Sequence, residues 1–167
     1  MSFKSIAPEE ISRDPFSLIG QDWLLVTAAK DGKSNTMTAS WGGVGIMWGK
    51  KVVTIYLRPA RYTKEFVDAS ERFTLSVLPE SRRDALRYLG SVSGRNEDKI
   101  KKAKLTVTGD ASAPYFEEAT LALVCRKLYA QEMKSECFID RECDEKWYKD
   151  DYHTMYIAEI EQVLIKE

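Results

Sequence analysis

Few residues in this 167-residue chain have the reach to do chemistry, and their spacing removes several familiar options. There is one histidine, His153, so the two-His zinc proteases are excluded. The three cysteines, Cys125, Cys137 and Cys143, lie 12 and 6 residues apart, with His153 10 further on. That spacing matches no common zinc finger or ribbon, and an odd number of cysteines without a Cys-x-x-Cys pair reads as reduced thiols. A Ser-His-Asp hydrolase would need His153, yet no Gly-x-Ser-x-Gly elbow occurs. Gly43-Val44-Gly45 begins like a dinucleotide fingerprint, but Trp48 holds the third Gly position and the residues beyond it read as strand, leaving no helix N-terminus for a pyrophosphate. A full Gly-x-x-x-x-Gly-Lys-Ser/Thr phosphate loop is absent as well.

What remains is a binding pattern. The stretch from Asn35 to Trp48 sets small hydroxyl residues, a tryptophan and glycines at one strand-like turn, where backbone N–H groups can come close to a ligand. Taken singly, Met37, Trp41 and Trp48 read as core residues and Arg58 and Arg61 as surface ion-pair formers. The informative feature is the joint pattern of four blocks in order. These are Asn35-Thr36-Met37-Thr38-Ala39-Ser40-Trp41, Arg58-Pro59-Ala60-Arg61-Tyr62-Thr63, Ser93-Gly94-Arg95-Asn96-Glu97-Asp98-Lys99, and the closing block from Asp151 to Glu159 that contains His153.

The elements that must position these blocks are mostly strands. Residues 1 to 20 read as an irregular arm over the core, with one helical turn at Pro8 to Ile11. Trp23 to Ala29 is a strand, Asp31-Gly32 a tight hairpin turn, and Thr36 to Trp41 the returning arm. Val44 to Trp48 and the β-branched run Val52 to Leu57 follow as strands around a turn at Gly49-Lys50-Lys51. Arg58-Pro59 breaks the sheet and Arg61 to Ala69 fits a short helix. Arg72 to Leu78 alternates as a half-buried strand. Ser81 to Leu89 is helical with Ser81 as N-cap, Asp98 to Ala103 is a helical turn, and Leu105 to Thr108 is a strand. Glu118 to Glu132 reads as a strand with a bend or bulge, with a helix as the competing assignment. Lys134 to Tyr148 is charged and partly helical, and Tyr152 to Ile165 closes the chain as a strand. About seven strands with short helices predict a mainly β fold, an antiparallel barrel with helical insertions.

Composition sets the outer bounds. Lys plus Arg number 25 against 26 Asp plus Glu, a net charge of −1 that offers no field for nucleic acid or an acidic membrane. No window of about 18 apolar residues spans a bilayer, and the N-terminus lacks the apolar core of a secretion signal, so a cytoplasmic location is expected. No repeat or linker divides the chain, which reads as one domain over residues 1 to 167 with an arm at 1 to 14.

The four blocks together resemble the flavin reductase-like family, the FMN-binding split β-barrels that include flavoredoxins, over about residues 15 to 165. The resemblance implies a Greek-key split barrel, a homodimer, and FMN near the dimer interface, with FMN ahead of FAD. It places Asn35, Thr36, Met37, Thr38, Ala39, Ser40 and Trp41 along the flavin, and Arg58, Arg61, Tyr62, Thr63, Ser93, Gly94, Arg95 and Lys99 as contacts to phosphate and ribityl oxygens. His153 falls where many reductases of the family hold a histidine near the nicotinamide, although here Tyr152 separates it from Asp151 and Ala158 stands where Gly is common. Physical chemistry supports the same roles. A phosphate wants Arg, Lys or helix N–H groups, which Arg58 to Lys64 offers at a helix start. Main-chain N–H groups at Thr38 to Ser40 suit the polar edge of a flavin, and Trp41 provides an apolar wall. The function implied is a flavoprotein oxidoreductase moving electrons between NAD(P)H or a redox partner protein and flavin. The alternatives are a flavoredoxin-like carrier without NAD(P)H activity and a non-catalytic binding barrel.

Overall fold

The computed structural model describes residues 2–167. Ten strands occur among them, eight in one antiparallel sheet. They are β1 (Phe3–Ile6), β2 (Leu24–Lys30), β3 (Lys33–Ala39), β4 (Gly42–Met47), β5 (Lys50–Leu57), β6 (Arg72–Val77), β7 (Val107–Asp110), β8 (Ala113–Phe116), β9 (Leu121–Glu132) and β10 (Thr154–Lys166). The helices are α1 (Tyr62–Ala69), α2 (Arg83–Ser91), α3 (Lys99–Lys102) and α4 (Arg141–Trp147). This is the mainly β split barrel with helical insertions that the sequence predicts.

Closure follows from one short connection. Along the sheet the strands run β3, β2, β6, β9, β10, β5, β4, so β3 and β4 are opposite edges. In the chain only Ser40 and Trp41 separate them. Three residue steps span at most about 10 Å, so the sheet must curl until its two edges face each other. The seam of the barrel therefore lies where Ser40 and Trp41 cross.

Local chemistry makes the neighbouring hairpins. Asp31 and Gly32 both have positive φ, 51° and 72°, as a two-residue hairpin turn that matches strand twist requires, and β2 and β3 pair across them from Lys30↔Lys33 to Leu24↔Ala39. Trp48 and Gly49 do the same for β4 and β5. At the start of β4, a Cβ on Gly42 would lie 2.7 Å from the Thr54 carbonyl oxygen of β5. Gly42→Ala must therefore push the β4–β5 pair apart, and is expected to cost about 2 kcal/mol. Urea unfolding should show a lower midpoint at unchanged slope, and an unaltered midpoint would contradict this packing.

The barrel interior is filled from every strand of the main path except β4, whose Val44 packs partly buried against it, with Val26, Met37, Val53, Ile55, Leu57, Phe73, Leu75, Leu123 and Ala158 among its buried residues and Phe66 and Val67 of α1 closing one side. A second cluster (Leu25, Leu78, Leu86, Leu89, Ile100, Leu105, Phe116) packs α2 and β8 against the outside of β2 and β6.

Several expectations need correcting. The N-terminal arm is not irregular throughout: Phe3–Ile6 pairs with Val163–Lys166, because β10 outruns β5 and leaves an open edge that β1 covers. The expected turn after it is present as a 3-10 turn at Pro8–Glu10. β6 is buried on both faces rather than half-buried, since Thr74 and Ser76 lie fully inside and Thr74 Oγ1 donates to the Pro114 carbonyl beside β8. Strand β8 was not foreseen, and the expected strand at Leu105 to Thr108 starts two residues later, pairing Val107 with Phe116. Ser81 does not cap α2: a 3-10 turn over Glu80–Arg82 leads in, and Arg82 precedes the helix without a side-chain cap. The competing helix at Glu118 to Glu132 is excluded, because β9 pairs with β6 and with β10, its register shifting twice against β10.

Candidate functional site in the seam of the barrel

An open cleft lies at the seam. Its floor is the end of β3 and the crossing that follows, Met37, Thr38, Ala39, Ser40 and Trp41, and its other walls are Tyr56 of β5, Arg58, Arg61 and His153 just before β10. Three blocks distant in sequence thus meet. The reason is pairing: Thr154 stands opposite Leu57, so the residues flanking that pair, Arg58 and His153, leave the sheet at the same end. Because β3 is a sheet edge, one side of its backbone has no strand partner, and it is this edge strand that lines the cleft.

Arg61 is the least neutralised charge there. It is partly buried, Nη1 donates to the Gly90 carbonyl at 2.7 Å, and among the described residues it has no carboxylate within ion-pair distance. Burial, and secondarily the Arg58 charge, press its pKa below the ordinary value. Arg61 also precedes α1 without a side-chain cap. Lys64 N–H takes the Arg61 carbonyl, so the N–H groups of Tyr62 and Thr63 at the helix start have no intrahelical acceptor. A guanidinium without a carboxylate partner and two N–H groups without intrahelical acceptors at one helix start are donors of the kind that suit an anion.

Arg58 is differently engaged. Its Nη1 donates to Asp151 Oδ2 at 2.5 Å and its Nη2 to the Trp147 carbonyl at 2.9 Å, and the guanidinium lies over the Tyr148 ring. It thereby holds the segment after α4 against the cleft, where Trp147 meets Trp41 edge-on at 5.1 Å.

His153 is 7% exposed, with Nδ1 2.7 Å from the Tyr148 hydroxyl and its ring against Trp41 and Tyr56. Burial, and then the Arg58 charge against the opposing pull of Asp151, push its pKa down to about 4, so the imidazole is neutral near pH 7. A folded-state pKa below the unfolded value means that the unfolded chain binds the extra proton. The stabilising contribution is therefore full above about pH 6.5 and is lost as the pH falls through about 4. As the chain has one histidine, its imidazole signal in a proton NMR titration is unambiguous. A midpoint near 4 is expected, and a midpoint near 6.5 would contradict the buried, Tyr148-bonded geometry.

The other residues singled out by the sequence divide into two groups. Asn35, Tyr62, Gly94, Arg95 and Lys99 line a second groove next to the cleft. Within it Asn35 Nδ2 donates to Thr63 Oγ1 at 2.8 Å, joining β3 to α1, and a Cβ on Gly94 would sit 2.2 Å from Asn35 Oδ1. Arg95 lies over the Tyr62 ring and pairs with Glu65. Lys99 is 3% exposed and donates to the Leu89 and Val92 carbonyls at the end of α2, its pKa lowered to about 8 by burial and by Arg61. Thr36, Thr63 and Ser93 are occupied with internal bonds: Thr36 Oγ1 with Thr27 and the Val26 carbonyl, Thr63 with Asn35, and Ser93 Oγ with the Arg95 N–H.

The sequence reading missed Tyr56, Trp147 and Tyr148. Alternation along β5 put Tyr56 opposite in sense to the core residues Ile55 and Leu57, which was a usable signal. The segment carrying Trp147 and Tyr148 is charged, with only Asp144 buried in α4, and has no period to read.

The sequence profile described as Flavin reductase like domain matches residues 16–167. The chain belongs to that family. Flavin-binding redox chemistry comes with membership, and the family includes oxidoreductases. Among solved structures, this flavin reductase-like chain is similar to the FMN-binding domain of a flavin reductases-like enzyme from Shewanella baltica OS155, at 17% identity and TM-score 0.71 over 98% of this chain and 77% of the other. It is also similar to the flavoredoxin of Desulfovibrio vulgaris (Miyazaki F), at 23% identity and TM-score 0.69 over 97% and 78%. A third likeness is to the NADH:FAD oxidoreductase of Streptomyces globisporus C-1027, at 16% identity and TM-score 0.64 over 87% and 74%. At these identities the likeness shows the fold alone. Sequence comparison with curated proteins finds no match.

Proposed function

We propose that the cleft holds a flavin mononucleotide and that the protein is a flavin-dependent oxidoreductase drawing electrons from NAD(P)H. The observation that carries this is Arg61, partly buried without a carboxylate partner at the uncapped start of α1, one wall of a cleft whose floor is an exposed strand edge. The residues fit the group: Arg61 with the Tyr62 and Thr63 N–H groups for the phosphate, the backbone edge from Thr38 to Ser40 for the polar rim of the ring, and Trp41 and Tyr56 as apolar walls. When bound, the flavin supplies hydride and single-electron transfer. The chain's part is to orient it, to keep a neutral imidazole at His153 beside it, and to limit water with Trp41 and Trp147.

One observation favours the second reading, a flavoredoxin-like carrier. Trp147, whose carbonyl is bonded by Arg58, packs edge-on against Trp41 of the cleft floor, and such a cover over Trp41 leaves less room for a nicotinamide. Steady-state oxidation of NADH and NADPH by the FMN-loaded protein separates the two. Turnover with either is expected for the reductase; no turnover, with the bound flavin still reducible by dithionite, would leave the carrier.

A homodimer with the flavin near its interface is part of the same proposal. Edge strand β4 and its turn carry Ile46, Met47 and Trp48, all exposed, and Trp48 lies against the exposed Tyr129, an apolar surface that a second copy would cover. Light scattering should give twice the chain mass, and Ile46→Asp should reduce it to one. A cytoplasmic setting suits three thiols that are all unpaired, with Cys137 and Cys143 exposed.

A further inference from the structure

The segment after α4 delivers one hydroxyl to the cleft histidine, and the residue that carries it is held from several sides. Tyr148 N–H donates to the Asp144 carbonyl at 2.9 Å, which fixes its backbone at the end of the helix. Its ring is stacked on Tyr152 at 5.0 Å between centroids, meets Phe138 at 5.6 Å, and has the Arg58 guanidinium over it. Tyr152 is itself anchored, its hydroxyl donating to Asp144 Oδ1 at 2.8 Å, and Arg58 is tied to Asp151 and to the Trp147 carbonyl. A ring packed in this way has little freedom at its tip, and the tip lies 2.7 Å from His153 Nδ1.

The direction of that bond follows from the alternatives. A phenol carries one proton, and burial raises the Tyr148 pKa, so the hydroxyl is protonated near pH 7. Besides Nδ1, the acceptor in reach among the described residues is the Met133 thioether sulfur at 3.8 Å, a weak one. Tyr148 therefore donates to the imidazole. Arg58 and Arg61 face the ring against Asp151 alone, which disfavours a second proton on it. A neutral imidazole that accepts at Nδ1 carries its proton on Nε2. Nε2 has no protein partner among the described residues and is not sealed from the space around it. The ring lines the cleft, its centroid 5.2 Å from that of Trp41 and 6.4 Å from that of Tyr56, so the fold leaves the Nε2–H as a donor for whatever occupies the cleft.

We propose that Tyr148 is a positioning residue: it fixes His153 as the Nε2–H tautomer, and through it gives the cleft one neutral, directed donor for an acceptor atom of the flavin ring. Without the hydroxyl either nitrogen can hold the proton, and an Nε2 lone pair would repel the same acceptor. A donor aimed at an atom that gains electron density on reduction binds the reduced ring more tightly than the oxidised one, and so raises its potential. The tautomer stands on the protein alone, while the effect on potential rests on the cleft being the flavin site.

The test uses the full-length protein and Tyr148→Phe, which keeps the ring and its stacking and removes the hydroxyl alone. NMR of the imidazole nitrogens in the flavin-free protein near pH 7 reads the tautomer directly, because the chain has one histidine. The parent should show Nε2 protonated and Nδ1 bare, and the two nitrogen shifts should move toward each other in the variant. A parent with Nδ1 protonated, or a variant with unchanged shifts, would overturn the proposal. Redox titration of the FMN-loaded proteins supplies the second readout. Loss of one hydrogen bond should cut the preference for reduced over oxidised FMN about tenfold, a potential about 30 mV more negative for a two-electron couple. His153→Gln, whose amide keeps an N–H of its own, breaks the route, so adding Tyr148→Phe to it should shift the potential no further. Equal potentials for the parent and Tyr148→Phe, or the same shift in both backgrounds, would contradict a role exerted through His153. If the parent binds no FMN, the flavin reading falls and the role at the ring falls with it, while the NMR result still decides the tautomer.

Discussion

Arg61→Ala should abolish tight FMN binding while leaving the protein folded. The expected loss is about 2.8 kcal/mol, a hundredfold in dissociation constant, the scale of removing one partner from a desolvated charge pair. Folding should suffer little, because the guanidinium's one acceptor among the described residues is the Gly90 carbonyl, its burial opposes its charge, and Arg58 beside it repels it. Arg61 therefore costs the empty fold something and returns it only when an anion arrives. A calorimetric titration of the variant with FMN checks this; an affinity within threefold of the parent's would remove Arg61 from the site. The contrast with Arg58 sharpens the point. Arg58 already has Asp151 and the Trp147 carbonyl, so its removal should loosen the segment from Trp147 to Asp151 before it weakens a phosphate contact.

Phe73→Ala is the substitution expected to damage the fold most, by about 4 kcal/mol. Phe73 is fully buried on β6, the strand between β2 and β9, and packs in the barrel interior with Leu75 and Leu123. No route exists for the surroundings to collapse into the space, because the other face of β6 is itself packed, with Thr74 tied to Pro114. A loss of this size is a large part of a typical domain's stability. Chemical denaturation measures it, and Phe73→Leu, which keeps most of the volume, should lose about 1 kcal/mol. Equal losses for the two variants would mean that the site is not close-packed.

Legibility in the sequence tracked the range of the interactions. The Asp31-Gly32 turn, the strands flanking it and the helix after Pro59 are decided within a few residues, and all are found close to where they were expected. β1 and β8 are decided elsewhere. Four residues from Phe3 pair only because β10 extends beyond β5, and β8 is a strand because Val107 to Asp110 lies opposite it. The same division holds at the site. That Met37 to Trp41, Arg58, Arg61 and His153 meet in one cleft agrees with the pattern of blocks. The inward turn of Thr36 to Thr27, the docking of Lys99 on the α2 carbonyls and the hold of Asp151 on Arg58 depend on which partner lies nearest in the fold, and no local pattern encodes them.

The account stands most directly on a phosphate at the start of α1 with a flavin ring in the cleft, and the measurement that isolates it is a paired titration of the flavin-free protein with FMN and with riboflavin, which lacks the phosphate. The prediction is saturable binding of one FMN per chain, with quenched flavin fluorescence and an affinity about a hundredfold above that for riboflavin. Equal affinities for the two, or no saturable binding of FMN, would contradict it.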